Sequence, residues 1–205
     1  MFIKNTKNVT DKLNDVSLIL KEDKIDLPKI VFNEKLYKKY LFYDFDYIFS
    51  EFFYEDIISY LKATNQKSFV FICLEPQEDE CVFEHFESYN LIEFPVDLSF
   101  NEYIYNLNYG VNNDISNAVI HRGQKFLIYS EKKDLVFFAN RKFEMGVFGY
   151  DQNQIDEKNI KVFIDNFMSA EEFLTESLTF YSNLDNIRDE FIEFLYSVRT
   201  NYGKD

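Results

Sequence analysis

The chain has 205 residues, 46% of them apolar and 19% aromatic, which is enough to bury the core of one domain and too apolar for intrinsic disorder. Its net charge is -14, and an acidic balance of this size repels phosphates and anionic lipid heads, which argues against nucleic-acid and membrane partners. No run of about 18 apolar residues is present to span a membrane, residues 1–5 lack the apolar core of a signal peptide, and two cysteines are too few for a disulfide framework, so a cytoplasmic protein with reduced thiols is expected.

In chain order, residues 8–21 read as an amphipathic helix, with Val9, Leu13, Val16 and Leu20 on one face. Lys29–Phe32 suggests a strand, and Asn33 a cap for a brief helix to Tyr40. Residues 41–49 alternate Leu41, Tyr43, Phe45, Tyr47 and Phe49 with Asp44 and Asp46 between them, which predicts one extended, half-buried strand. Ser50 caps a helix from Glu51 to about Thr64, and Ser68–Leu74 is an apolar run of the buried-strand kind, closed by Pro76. Residues 77–98 read as irregular, with apolar anchors. Ser99-Phe100-Asn101-Glu102 is a capping box for a helix through Leu107 that stops at Gly110.

Residues 117–149 predict a β-meander. Its strands are Ala118–His121, Lys125–Ser130, Leu135–Ala139 and Phe143–Phe148, with Glu131–Asp134 as a hairpin loop. Ser169-Ala170-Glu171-Glu172 is a second capping box, and Leu184 to Val198 carries the apolar stripe of a last helix ending near Gly203. The expected fold is a single α+β domain, residues 1–205, with a mostly antiparallel sheet, a C-terminal meander, flanking helices and two C-terminal helices.

The charge is unevenly spread. Ser68–His121 holds ten acids, Glu75, Glu78, Asp79, Glu80, Glu84, Glu87, Glu93, Asp97, Glu102 and Asp114, and no Lys or Arg. A merely solvated face usually mixes both signs. Tyr89, Tyr103, Tyr105 and Tyr109 are interleaved with these acids, and a phenol beside a carboxylate suits a protein interface, because its ring buries area while its hydroxyl hydrogen-bonds. The candidate partner-binding residues are Glu78, Asp79, Glu80, Glu84, Glu87, Tyr89 and Glu102.

Chemistry finds weaker support. Cys73, Cys81, His85 and His121 are the only soft metal ligands, without the tight ligand pairs of a zinc site, so no metal is expected. Cys81 and His85 have nucleophile–base spacing, but their acidic neighbours disfavour a thiolate. No phosphate-loop, dinucleotide, metalloprotease or nucleophile-elbow motif occurs, and neither a catalytic residue nor a cofactor is expected.

The segment Gln124–Ser130, Leu135–Asn140 and Phe143–Gly149, preceded by the capped helix Ser99–Leu107, resembles the meander of bacterial immunity proteins from polymorphic and contact-dependent toxin systems. Phe126 stands where that group often has Trp. The resemblance implies a non-enzymatic protein that occludes a cognate toxin, frequently a basic nuclease. A basic protein is therefore the expected partner, and an electrostatically steered encounter the expected route. A hydrolase using two carboxylates in a cleft, or a dimerising regulatory module, are the alternatives.

Overall fold

Six apolar segments pair into one antiparallel sheet in the computed structural model, which describes residues 6–22, 26–75, 90–110, 114, 116, 118–181 and 189–203. The strands are β1 Lys39–Asp44, β2 Ser68–Glu75, β3 Leu91–Pro95, β4 Lys125–Ser130, β5 Leu135–Asn140 and β6 Met145–Tyr150. They lie side by side in the order β1-β6-β5-β4-β2-β3, and every neighbouring pair is antiparallel. β4, β5 and β6 form the meander, with the hairpin loop at Glu131–Asp134 as expected.

Helices cover both faces of this sheet. They are α1 Thr6–Ile19, α2 Glu51–Ala63, α3 Phe100–Leu107, α4 Val119–Arg122, α5 Glu157–Asn166, α6 Ala170–Tyr181 and α7 Asp189–Tyr202. Successive strand side chains point to opposite faces. Phe69, Phe71 and Cys73 join Phe126, Ile128, Phe137 and Phe148 in one core layer, against α2, α3 and α5. Val70 and Ile72 join Leu127, Tyr129, Val136, Phe138 and Val147 in the other, against α1, α6 and α7. The result is an α+β domain of three layers. Because neither face of the sheet meets water, β4, β5 and β6 read as almost continuous apolar runs.

That double coverage corrects several expectations. Residues 41–49 are not one half-buried strand: β1 stops at Asp44, whose carboxylate accepts from Asp46 N at 3.1 Å and opens a 3-10 helix, Phe45–Phe49. Phe42, on the face opposite Tyr43, is as buried as Tyr43. Phe143 is not in a strand either; Arg141–Phe143 is a 3-10 turn that ends at Glu144 in the left-handed region (φ 52°). Ala118–His121 is not the first strand of the meander, because Val119–Arg122 is a helical turn. Part of the span read as irregular, Leu91–Pro95, is an edge strand of the sheet. Lys29–Phe32 contributes one bridge, Leu20 to Phe32, and Asn33 is followed by a turn, not a helix. Leu13 is exposed, and Ile19 takes its place on the buried face of α1. Gly110 makes no left-handed cap: α3 ends on Asn108, which has negative φ.

Local chemistry explains the elements that were read correctly. Ser50 Oγ accepts from Phe53 N at 3.1 Å at the start of α2. Ser169 and Glu172 exchange hydrogen bonds of 2.8 and 3.2 Å at the start of α6. Gly146 in β6 faces the ring of Tyr43, its register partner on β1, and a Cβ there would collide with that ring. Gly149 makes room for Phe32 in the same way on the other face.

Candidate functional site

β2 and β3 frame the acidic stretch. β2 ends at Glu75, and the chain is described again from Asn90, so residues 76–89 lie outside the described residues. Six of the seven expected partner-binding residues, Glu78, Asp79, Glu80, Glu84, Glu87 and Tyr89, lie there, as do Cys81 and His85. The two ends of this stretch sit side by side: Cys73 N donates to Asn90 O at 2.8 Å. Asn90 is fully buried, and its side-chain oxygen accepts from Arg122 Nη2.

The flanking acids are placed in detail. Glu75 on β2 pairs with Lys125 of β4 at 2.8 Å, and the same ammonium reaches Asp26 at 2.9 Å. Partial burial opposes the charge on Lys125, but its hydrogen bonds to Glu75 and Asp26 outweigh this and raise its pKa. Asp26 also accepts from Asn140 Nδ2 at 2.6 Å, which ties Asp26 to the end of β5. Glu93 on the edge strand accepts from Ser68 Oγ at 2.8 Å and pairs with Lys12 of α1 at 3.5 Å. Glu93 and Pro95 also suit a strand at the end of the sheet as described, since a charge and a missing N–H discourage further strand pairing. The stretch without Lys or Arg is thus partly neutralised in space by lysines from α1 and β4. Sequence carried no signal for this, because the β2–β4 register brings Lys125 to Glu75 and the packing of α1 on the sheet brings Lys12 to Glu93, across about 50 or more positions.

Past the edge strand the surface stays acidic. Asp97 and Glu102 are exposed and form no ion pair with a described residue. Glu102, the one expected site residue that is described, closes the capping box of α3. Its carboxylate accepts from Ser99 Oγ at 2.6 Å and Ser99 N at 2.9 Å, and these bonds hold its pKa below the ordinary glutamate value. Tyr105 follows Glu102 at i+3 on the same face of α3, and Tyr109 lies just past the helix end; both are exposed, with ring centroids 6.3 Å apart. Tyr103 does not belong with them. It is fully buried, packs on Phe94 (4.8 Å) and donates from Oη to Ile48 O at 2.5 Å.

This arrangement can pair with cations and bury phenol rings. Among the described residues no group of three His, Cys, Asp or Glu is placed to hold a metal ion. Cys73 is buried in β2 and His121 is exposed on α4. The carboxyl of Asp56 is raised above the usual aspartate range by burial, even though Tyr47 Oη donates to it at 2.5 Å. Its partner is a phenol, whereas the two-carboxylate chemistry of a hydrolase needs a second acid. No helix among the described residues is long and apolar enough to cross a membrane. Comparison with protein-family models, with curated proteins and with solved structures returned no match.

Proposed function

We propose that this chain is a non-enzymatic binding protein that captures a basic protein, and that it serves as an immunity protein which neutralises a toxin domain by covering its active site. The observation that carries the reading is the 54-residue stretch Ser68–His121, with ten carboxylates and no Lys or Arg. Within it, Glu75 and Asn90 sit at the ends of the adjacent strands β2 and β3, and Glu102 and Tyr105 on α3 with Tyr109 just past its end are exposed. Glu78, Asp79, Glu80, Glu84 and Glu87 would meet the Lys and Arg that such a toxin uses to hold phosphates. Tyr89, Tyr105 and Tyr109 would supply the buried centre of the contact. The long-range field would act mainly on the rate of encounter. A cytoplasmic location follows from the same reading.

The test is genetic and kinetic. Co-expression with the toxin-like product of the neighbouring reading frame should restore growth, and purified chain should bind that product. Replacing Glu78, Asp79, Glu80 and Glu84 with their amides should slow association about tenfold or more at low salt and flatten its salt dependence. No growth rescue and no binding would overturn the reading. Equal on-rates for variant and parent would overturn its electrostatic part.

A further inference from the structure

A second acidic feature lies at the far edge of the sheet, away from β3. A groove of about 400 Å3 opens between the end of β1, the β5–β6 connection and the α6–α7 pair. Its rim carries three carboxylates, Asp44, Asp46 and Glu144, and its walls include Phe143, Phe173 and Phe191. The rings are fixed by stacking in the core. Phe173 lies on Phe42 (5.1 Å, 21° between planes). Phe194 stacks on Phe143 (4.3 Å, 16°) and on Phe191 (6.0 Å, 15°). The rim is fixed too, because Phe45 N donates to Glu144 O at 3.2 Å and joins the two backbone segments that carry the acids.

Charge is unbalanced here. None of the three carboxylates forms an ion pair with a described residue. The cation lining the groove, Arg141, turns its donors to backbone carbonyls and not to the carboxylates: Nε donates to Gly123 O at 3.0 Å and Nη2 to Ile120 O at 2.5 Å, while the guanidinium lies over Phe45 of the groove wall at 4.8 Å. The molecule itself shows that rings in this corner take a cation, since Lys142 Nζ lies 5.1 Å from the centroid of Phe143.

We propose that this groove receives an arginine side chain of the basic protein partner. The inference rests on the binding function proposed above and adds a second, side-chain-specific contact to it. Arginine fits better than lysine: its planar guanidinium stacks on a phenyl ring and offers a fork of donors to carboxylates, whereas an ammonium is a strongly hydrated point charge. The groove is of a size that encloses one side chain, at the small end of ligand pockets.

Labelled nona-arginine and nona-lysine peptides are the probes, titrated by fluorescence anisotropy against the full chain. The parent should bind nona-arginine more tightly. D46N/E144Q should weaken nona-arginine about tenfold and remove the preference, with an unchanged circular dichroism spectrum because both side chains are exposed. D46E/E144D, which keeps both charges, should retain the preference. The amide variant of Glu78, Asp79, Glu80 and Glu84 should weaken both peptides alike and keep the preference. If D46N/E144Q still prefers arginine, the groove is overturned while the basic-partner reading stands. If the parent binds neither peptide at low salt, both fall.

Discussion

Tyr103 and Tyr105 stand two positions apart on α3 and do opposite work. Tyr103 is buried and donates to Ile48 O, so Tyr103→Phe leaves a buried carbonyl without its partner and should cost about 1–3 kcal/mol in urea unfolding. Tyr105 is exposed, so Tyr105→Ala should change stability by no more than about 0.5 kcal/mol. On the proposed binding function, its effect should appear instead as faster dissociation of the basic protein. Sequence reading grouped both tyrosines with the acids, because burial at this spacing is decided by which side of α3 meets β3, and that depends on how the sheet pairs. Gly146 is a similar case. It reads as the small member of an alternating strand, yet it is held small by the Tyr43 ring, and Gly146→Ala should destabilise by about 1–3 kcal/mol in the same assay. Asp56 allows a test with pH. Burial raises its pKa in the folded state, so its contribution to stability is fully present below the unfolded aspartate pKa and is lost as pH rises through the raised value. Asp56→Asn, which keeps an acceptor for Tyr47, should therefore gain stability relative to the parent as pH rises from about 3 to 7.

Elements opened by a capping serine formed where their residues indicated, whereas the signals at Asn33 and Gly110 did not hold. Ser99 and Glu102 cap α3 reciprocally, and Ser99→Ala should lower stability by about 1 kcal/mol at neutral pH. The bonds from Ser99 depress the pKa of Glu102. The stability they add is present above the ordinary glutamate pKa of 4.5 and is lost as pH falls through the depressed value, so the gap between parent and Ser99→Ala should narrow in acid. The β4–β5 hairpin, α2 and α6 were legible for the same reason: a cap or a loop names its own boundary. β1 was half legible, because Asp44 and Asp46 fit a solvent-facing row as well as they fit the cap of a 3-10 helix. β3 was not, since five residues at a sheet edge with Glu93 and Pro95 among them carry little strand pattern of their own.

At the scale of the molecule, a sheet buried on both sides holds its own fold while the surface carries a net charge of -14. Like charges at this density repel one another in the compact state. The melting temperature should therefore rise between about 10 and 200 mM NaCl as the Debye length shortens below typical charge spacings, and a melting temperature flat or falling over that range would mean that pairs such as Lys125 with Glu75 already balance the surface. The α+β class was readable because helices and apolar strands alternate along the chain. The spatial charge map was not, because Lys12 and Lys125 reach the acidic stretch only through the fold.

The hydrogen bond from Cys73 N to Asn90 O closes the β2–β3 ladder directly across the point where the chain departs and returns. It places the two described ends of the acidic segment side by side, so the segment can be shortened without moving either strand. That segment, residues 76–89, holds five of the 36 acids. Replacing it with a short Gly-containing turn should leave the melting transition cooperative while erasing capture of the partner. Binding of a basic protein, if carried by this segment as proposed, should therefore be separable from the stability of the core.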